Sequence, residues 1–201
     1  MQHVCQRLEG NVKQKINKKP QGCLIYKEIS NRVFFLSYIL SGIIFWFLGD
    51  STPPVIGVIG GSGIYEIDGL TNTSWKKITS PFGETSDQFL FGKLGDQQLV
   101  FLPRHGRGHK IPPSEINYRA NIDALKRSGV TEIISLSACG SFREELDPGT
   151  FVIVDQFIDR TFARKKSFFV TGLVAHVAFG QPVCGRLGDA IEKSCNQLGL
   201  K

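Results

Sequence analysis

Apolar and polar positions divide the chain into two unlike parts. Residues 1–32 are polar and basic without a clear period, and residues 33–48 then read VFFLSYILSGIIFWFL, with no charge among them. From Val55 onward the apolar runs are short and separated by glycine, proline and polar turns, the pattern of buried strands alternating with amphipathic helices. Val55-Ile56-Gly57-Val58-Ile59-Gly60 predicts a buried strand ending in the turn Gly60-Gly61-Ser62-Gly63. Residues 75–79 predict a second strand, broken by Pro81-Phe82-Gly83. Residues 88–94 and 98–102 flank Gly95-Asp96-Gln97 and predict a hairpin. Ser114, placed after Pro112-Pro113, is a suitable N-cap for a helix over about residues 115–127 that closes at Gly129. Its apolar stripe is Ile116, Ala120, Ile122, Ala124 and Leu125. Residues 131–136 and 151–154 read as further strands, and residues 186–198 as a last helix carrying Leu187, Ala190, Ile191 and Leu198. A helix between strands argues for a βαβ unit and an α/β fold with a parallel region.

Length and charge refine this picture. The 201 residues suffice for one α/β domain with a substantial core. The net charge of +6 is uneven: residues 1–50 hold seven Lys/Arg against three acids, the remainder seventeen against fifteen. The basic balance belongs to the N-terminal segment, so the domain lacks the basic face that nucleic-acid binding would want, and no nucleic-acid partner is expected. Five cysteines, an odd number with no zinc or redox spacing, fit a reducing, cytoplasmic setting. The run at 33–48 is at the short limit for a membrane-spanning helix, and the Lys and Arg before it would keep the N-terminus cytoplasmic. Residues 1–54 therefore read as an extension, either a membrane anchor or a stretch upstream of the working protein's true start. Residues 55–201 form the domain.

Candidate chemistry gathers where strands end. The Gly60–Gly63 turn carries one hydroxyl, Ser62, and suits a phosphate held by backbone N–H groups. Its spacing from Gly57 is neither a dinucleotide fingerprint nor a Walker loop. Arg104-His105-Gly106-Arg107-Gly108-His109 follows the second hairpin strand and supplies donors matched to phosphate or carboxylate oxygens. Ser137-Ala138-Cys139-Gly140-Ser141 is a second small-residue turn at a strand end. Cys139 would need a histidine partner to act as a nucleophile, and its small apolar neighbours favour packing. Asp155 and Asp159 lack the further ligands of a metal site, and none is expected. Arg164-Lys165-Lys166 reads as a solvated loop, and His176, among Val174, Ala175, Val177 and Ala178, as a core or interface residue. From the residues alone, this is an α/β domain binding an anionic or phosphate-bearing ligand.

Taken together, the motifs resemble the purine nucleoside phosphorylase family. They are Gly60-Gly61-Ser62-Gly63, Pro81-Phe82-Gly83 with Ser86-Asp87, the Arg104–His109 loop, Asn117-Tyr118-Arg119-Ala120-Asn121 and Ala138-Cys139-Gly140-Ser141. Arg143-Glu144-Glu145 and the run from Asp155 to Thr161 are similar to the branch acting on 5′-methylthioadenosine. The resemblance implies a mixed twisted sheet flanked by helices, a homotrimer, and phosphorolysis of 5′-methylthioadenosine to adenine and 5-methylthioribose 1-phosphate in purine and methionine salvage. It implies inorganic phosphate as co-substrate and no other cofactor. By position, Ser62, Arg104 and His105 would bind phosphate, with Ser137 and Ala138 beside phosphate and ribose. His176 matches a histidine lent across the trimer interface toward the methylthio end. Family members continue beyond this C-terminus with a base-protonating aspartate, so no catalytic residue is identified here, the fold is expected to lack its C-terminal part, and the chain alone is expected to be nearly inactive. Alternatives are a purine or 5′-methylthioinosine phosphorylase, or a non-catalytic membrane-anchored remnant.

Overall fold

The computed structural model describes residues 53–61, 64–169 and 171–200. The apolar segment 33–48 and Ser62 lie outside them. Among the described residues, no helix is long and apolar enough to cross a membrane.

Five strands build one mixed sheet: β1 (Ile56–Gly60), β2 (Leu70–Lys76), β3 (Phe89–Leu94), β4 (Gln97–Pro103) and β5 (Glu132–Ser135). Their order across the sheet is β2-β3-β4-β1-β5. β2, β3 and β4 form an antiparallel meander, while β1 lies parallel to both β4 and β5. Two helices complete the described elements, α1 (Tyr118–Arg127) and α2 (Gly185–Gln197). The α/β class and the mixed sheet flanked by helices are as the sequence led us to expect.

Side-chain alternation at period two explains why both faces are covered. On one face Ile56, Val58, Leu90, Leu99, Phe101 and Ile134 pack with Leu187 and Cys195 of α2. On the other, Ile59, Phe89, Val100 and Leu102 pack with Ala124 and Leu125 of α1. β1 is buried along its whole length, which is why it reads as an unbroken apolar run. Gly57 points to the α1 face, where a Cβ would stand 2.8 Å from Val130 Cγ1. Only glycine lets the segment after α1 approach so closely. The buried Gln97 amide donates to the carbonyls of Pro54 and Gln98, fixing the entry into β1.

Several expectations need correction. The strand expected at 75–79 is Leu70–Lys76. Its polar residues 71–74 carry no apolar alternation because it is an exposed edge strand, with a register shift between Thr71 and Ser74 where Asn72 has φ +52°. α1 begins at Tyr118, capped by Asn117 rather than Ser114: the Asn117 side chain accepts from the Ala120 N–H, and residues 113–115 form a separate turn. Residues 151–154 do not join the sheet, and Phe151, Val152 and Ile153 are exposed. Cys139 is exposed rather than packed, on the open loop after β5. His176 is exposed, which removes the core reading, and the neighbouring Val174 and Val177 are each 80% exposed. Arg164 is held against α1, donating to the Pro113 carbonyl and lying over the Tyr118 ring.

Candidate functional site

Because β1 is parallel to both of its neighbours, the carboxyl ends of β4, β1 and β5 emerge on the same edge of the sheet. The register places Gly60 opposite Pro103 and Ile59 opposite Ser135. Arg104 is the first residue past β4, and its N–H donates to the Gly60 carbonyl at 3.0 Å. That bond carries the ladder one step past the strands and aims the side chain across the end of β1.

The guanidinium spans the strand ends. Nη1 donates to the Leu136 carbonyl at 2.6 Å, Nη2 to Ser137 Oγ at 3.2 Å, and Nε to His105 Nε2 at 3.1 Å. Guanidinium carries five N–H donors, so donors remain for an outside acceptor. No described carboxylate forms an ion pair with Arg104, although burial works against its charge and pushes its pKa down. A half-buried cation held only by neutral oxygens and an imidazole is poised to receive an anion.

His105 is buried, with 4% of its surface exposed. Its Nδ1 lies 2.9 Å from the Ile111 carbonyl oxygen, an acceptor, so Nδ1 carries the proton and Nε2 offers a lone pair to Arg104. Burial lowers the His105 pKa, the Ile111 bond partly opposes this, and the nearby Arg104 charge lowers it again, leaving it below the ordinary 6.5. The neutral ring therefore suits the bond that Arg104 needs. His109 stacks on it at 4.4 Å between centroids.

The loop between them is tightly wound. Gly106, Gly108 and His109 all have positive φ, at +70°, +79° and +55°. The Lys110 and Ile111 N–H groups both donate to the His105 carbonyl, at 2.9 and 3.0 Å. Glycine at 106 and 108 makes that winding affordable, and a Cβ on Gly106 would stand 3.2 Å from the Ser86 carbonyl.

Arg107 has a different set of partners from Arg104. It forms a bidentate pair with Asp87, donates to Gln88 Oε1 at 3.1 Å, and lies 4.2 Å over the Trp75 ring. Burial would raise the Asp87 carboxyl, but bonds from the Arg107 side chain and backbone and from the Gln88 N–H outweigh it and hold it below the usual value. Asn121, 3% exposed on α1, bonds Ser86 through both ends of its amide, at 2.9 Å each.

The structure thus gathers Arg104, His105 and Ser137 at one edge, with Ala138 next in the exposed turn. Ser62 lies outside the described residues, two positions after Gly60 in the sequence. His176 makes no hydrogen bond with this group among the described residues. Sequence reading gives no role to the Leu136 and Ile111 carbonyls, which orient the Arg104 guanidinium and the neutral His105 ring. Nothing local marks them, since backbone carbonyls have no sequence signature. Asp159 accepts from both the Thr161 hydroxyl and N–H and pairs with Lys166 at 3.5 Å, a local turn.

Ligands of open α/β sheets collect where parallel strands end, and this edge presents a guanidinium that no carboxylate among the described residues pairs with. The class is an α/β protein with its candidate site at the carboxyl ends of parallel strands. The chain belongs to the Phosphorylase superfamily, whose sequence profile matches residues 55–201. It is 63% identical over 147 residues to the S-methyl-5′-thioadenosine phosphorylase of Rhodospirillum rubrum, a match covering 73% of this chain and 50% of the relative. The enzyme of the same name from Cereibacter sphaeroides is 59% identical over 146 residues, again with 73% and 50% covered. Among solved structures, the ligand-free methylthioadenosine phosphorylase of Schistosoma mansoni superposes with a TM-score of 0.68 at 40% identity, covering 73% of this chain and 54% of that one. A methylthioadenosine phosphorylase from an antarctic soil metagenomic library gives 0.65 at 49% identity, covering 67% and 47%. The chain spans about half the length of the curated relatives it matches.

Proposed function

We propose that the protein acts in the phosphorolysis of 5′-methylthioadenosine. A phosphate oxygen forms a bond to the anomeric carbon as the bond to the purine nitrogen breaks, giving 5-methylthioribose 1-phosphate and, after protonation of the base, adenine. Purine and methionine salvage would use these products. The observation that carries the reading is Arg104: a half-buried guanidinium anchored by Leu136, Ser137 and His105, with no described carboxylate to neutralise it. Such a group holds phosphate beside the positive charge that develops on the sugar, the preorganised electrostatics that glycosyl transfer needs. The names of the similar proteins supply the nucleoside.

In this reading Ser62, Arg104, Ser137 and the backbone at Ala138 hold phosphate, with His105 fixing Arg104 from behind and contributing through it. His176 would serve the methylthio end of a neighbouring subunit in a homotrimer. Its exposed setting, with Phe142, Phe162, Val174 and Val177 exposed along the same stretch, supports burial by another copy. Among the described residues Cys139, Cys184 and Cys195 are free thiols, which supports a cytoplasmic setting. The co-substrate is inorganic phosphate, and the chemistry calls for no resident metal or cofactor.

The test measures adenine release from 5′-methylthioadenosine with and without phosphate, alongside the thermal midpoint in phosphate and in chloride. Phosphate-dependent release with a raised midpoint in phosphate is expected. Release that ignores phosphate, or a midpoint that phosphate does not move, would overturn the proposal.

A further inference from the structure

We propose that Asp87 is a positioning residue for the phosphate loop, acting through the backbone of Arg107 and held in place by Asn121 of α1. This rests on the phosphate-binding reading given above.

A continuous chain of hydrogen bonds links α1 to the loop. Asn121 is almost completely buried on the first turns of α1, and its amide grips Ser86 at two points: Oδ1 accepts from the Ser86 N–H and Nδ2 donates to Ser86 Oγ, both at 2.9 Å. One helical turn earlier, Asn117 Nδ2 donates to the Phe82 carbonyl at 2.8 Å. Side chains four apart share a helix face, so α1 clamps the segment before β3 twice from the same side. That segment delivers Asp87. Thr85 Oγ1 closes on the Asp87 carbonyl at 2.9 Å, and Asp87 Oδ1 accepts from the Gln88 N–H at 2.7 Å, so the carboxylate is held from its own side.

Asp87 Oδ2 then accepts from the Arg107 backbone N–H at 2.6 Å. This bond reaches the middle of a loop in which Gly106, Gly108 and His109 all have positive φ. Such winding is costly in chain entropy and needs outside fixing. His105 and Ile111, which the loop brings together, fix the Arg104 guanidinium. The route from Asp87 to the anion is therefore backbone, then His105, then Arg104. The Arg107 side chain is paired with Asp87 and laid on Trp75, and the residue lines an open hollow of about 480 Å³.

A carboxylate this near an anion site has an opposite default effect. By charge alone, removing Asp87 strengthens phosphate binding. If Asp87 positions the loop, removing it weakens binding. The two accounts differ in sign, which makes the test decisive.

The experiment titrates the full chain with inorganic phosphate by calorimetry, using wild type, Arg104→Ala, Asp87→Ala, Asp87→Asn and Arg107→Gln, each checked for its far-UV spectrum. Asp87→Ala is expected to bind about tenfold more weakly, the loss of one hydrogen bond to a charged group. Arg107→Gln keeps the backbone N–H and is expected to stay within about twofold of wild type on the same reasoning. Amide exchange at Arg107 and Lys110 should quicken in Asp87→Ala while that of β3 and β4 is unchanged, which a general loss of stability would not produce. If Asp87→Ala fails to fold, the isosteric Asp87→Asn carries the test: weaker binding than wild type supports the proposal. Unchanged or tighter binding in the folded Asp87 variant overturns it, as does loss of binding in Arg107→Gln, which would make that side chain a direct ligand. Wild-type binding no stronger than that of Arg104→Ala would instead overturn the phosphate reading itself, and the positioning role with it.

Discussion

His105 Nδ1 stands 2.9 Å from the Ile111 carbonyl oxygen, and that contact decides which ring nitrogen carries the proton. The other nitrogen is left as an acceptor for Arg104. Because burial holds the His105 pKa below 6.5, the unfolded chain takes up this proton at a higher pH than the folded one. Stability from this group is thus complete above the ordinary histidine value and is lost as pH falls through the folded one. Thermal midpoints of wild type and His105→Gln, followed from pH 7.5 down to about 5.5, should converge as the pH drops. A constant gap would show that the fold does not lower the pKa of the ring.

Arg104→Lys tests whether charge alone suffices. Lysine cannot bond Leu136, Ser137 and His105 in one plane as the guanidinium does. Phosphate affinity should fall by more than about tenfold, and stability by about 1–2 kcal/mol from the carbonyl left without its donor. Calorimetric titration and urea unfolding measure the two effects separately.

Packing on the two sheet faces should respond differently to single changes. Phe101→Ala empties a fully buried site on the α2 face and should cost about 3–5 kcal/mol. Gly57→Ala adds only a methyl group, but on the α1 face it meets Val130 and Leu125 at 2.8 and 3.3 Å. It should cost about 1–3 kcal/mol by overpacking. Urea midpoints resolve both changes.

Asp159 offers a check that does not depend on phosphate binding. Hydrogen bonds from the Thr161 side chain and backbone, with the Lys166 charge adding to them, hold its carboxyl at about 2 against an ordinary 3.8. Thr161→Val removes the strongest of these and should move the carboxyl titration back toward 3.8, as read by carbon-detected NMR. A titration that stays near 2 would mean the hydroxyl is not the main cause.

Much of this arrangement was legible in the chain. The unbroken apolar run of β1, the hairpin about Gly95 and the stripe of α1 announce themselves because each is a local pattern with one dominant period. β2 was misplaced because an edge strand needs no apolar alternation. α1 starts after Asn117 rather than Ser114 because the Asn117 amide caps the Ala120 N–H and also donates to the Phe82 carbonyl, a partner 35 positions away that no local pattern marks. The site divides along the same line. Arg104 and His105 stood out by residue type, whereas Asp87 and Asn121 matter through partners far away in sequence, and residues 151–154 read as a strand that has no place in the described sheet.

The placement of β1 between β4 and β5 also bears on how the sheet is assembled in time. The β2–β3–β4 meander joins neighbours in sequence and can zip locally, but β1, the first strand in the chain, must find partners that come much later. Closing those long loops is entropically slow, and the contacts repay it only once β5 has arrived. The Gly60 carbonyl and the Leu136 carbonyl reach Arg104 only after that step. Refolding followed at Trp75 in the meander should therefore run ahead of recovered phosphate binding, making the anion site a late reporter of the completed fold.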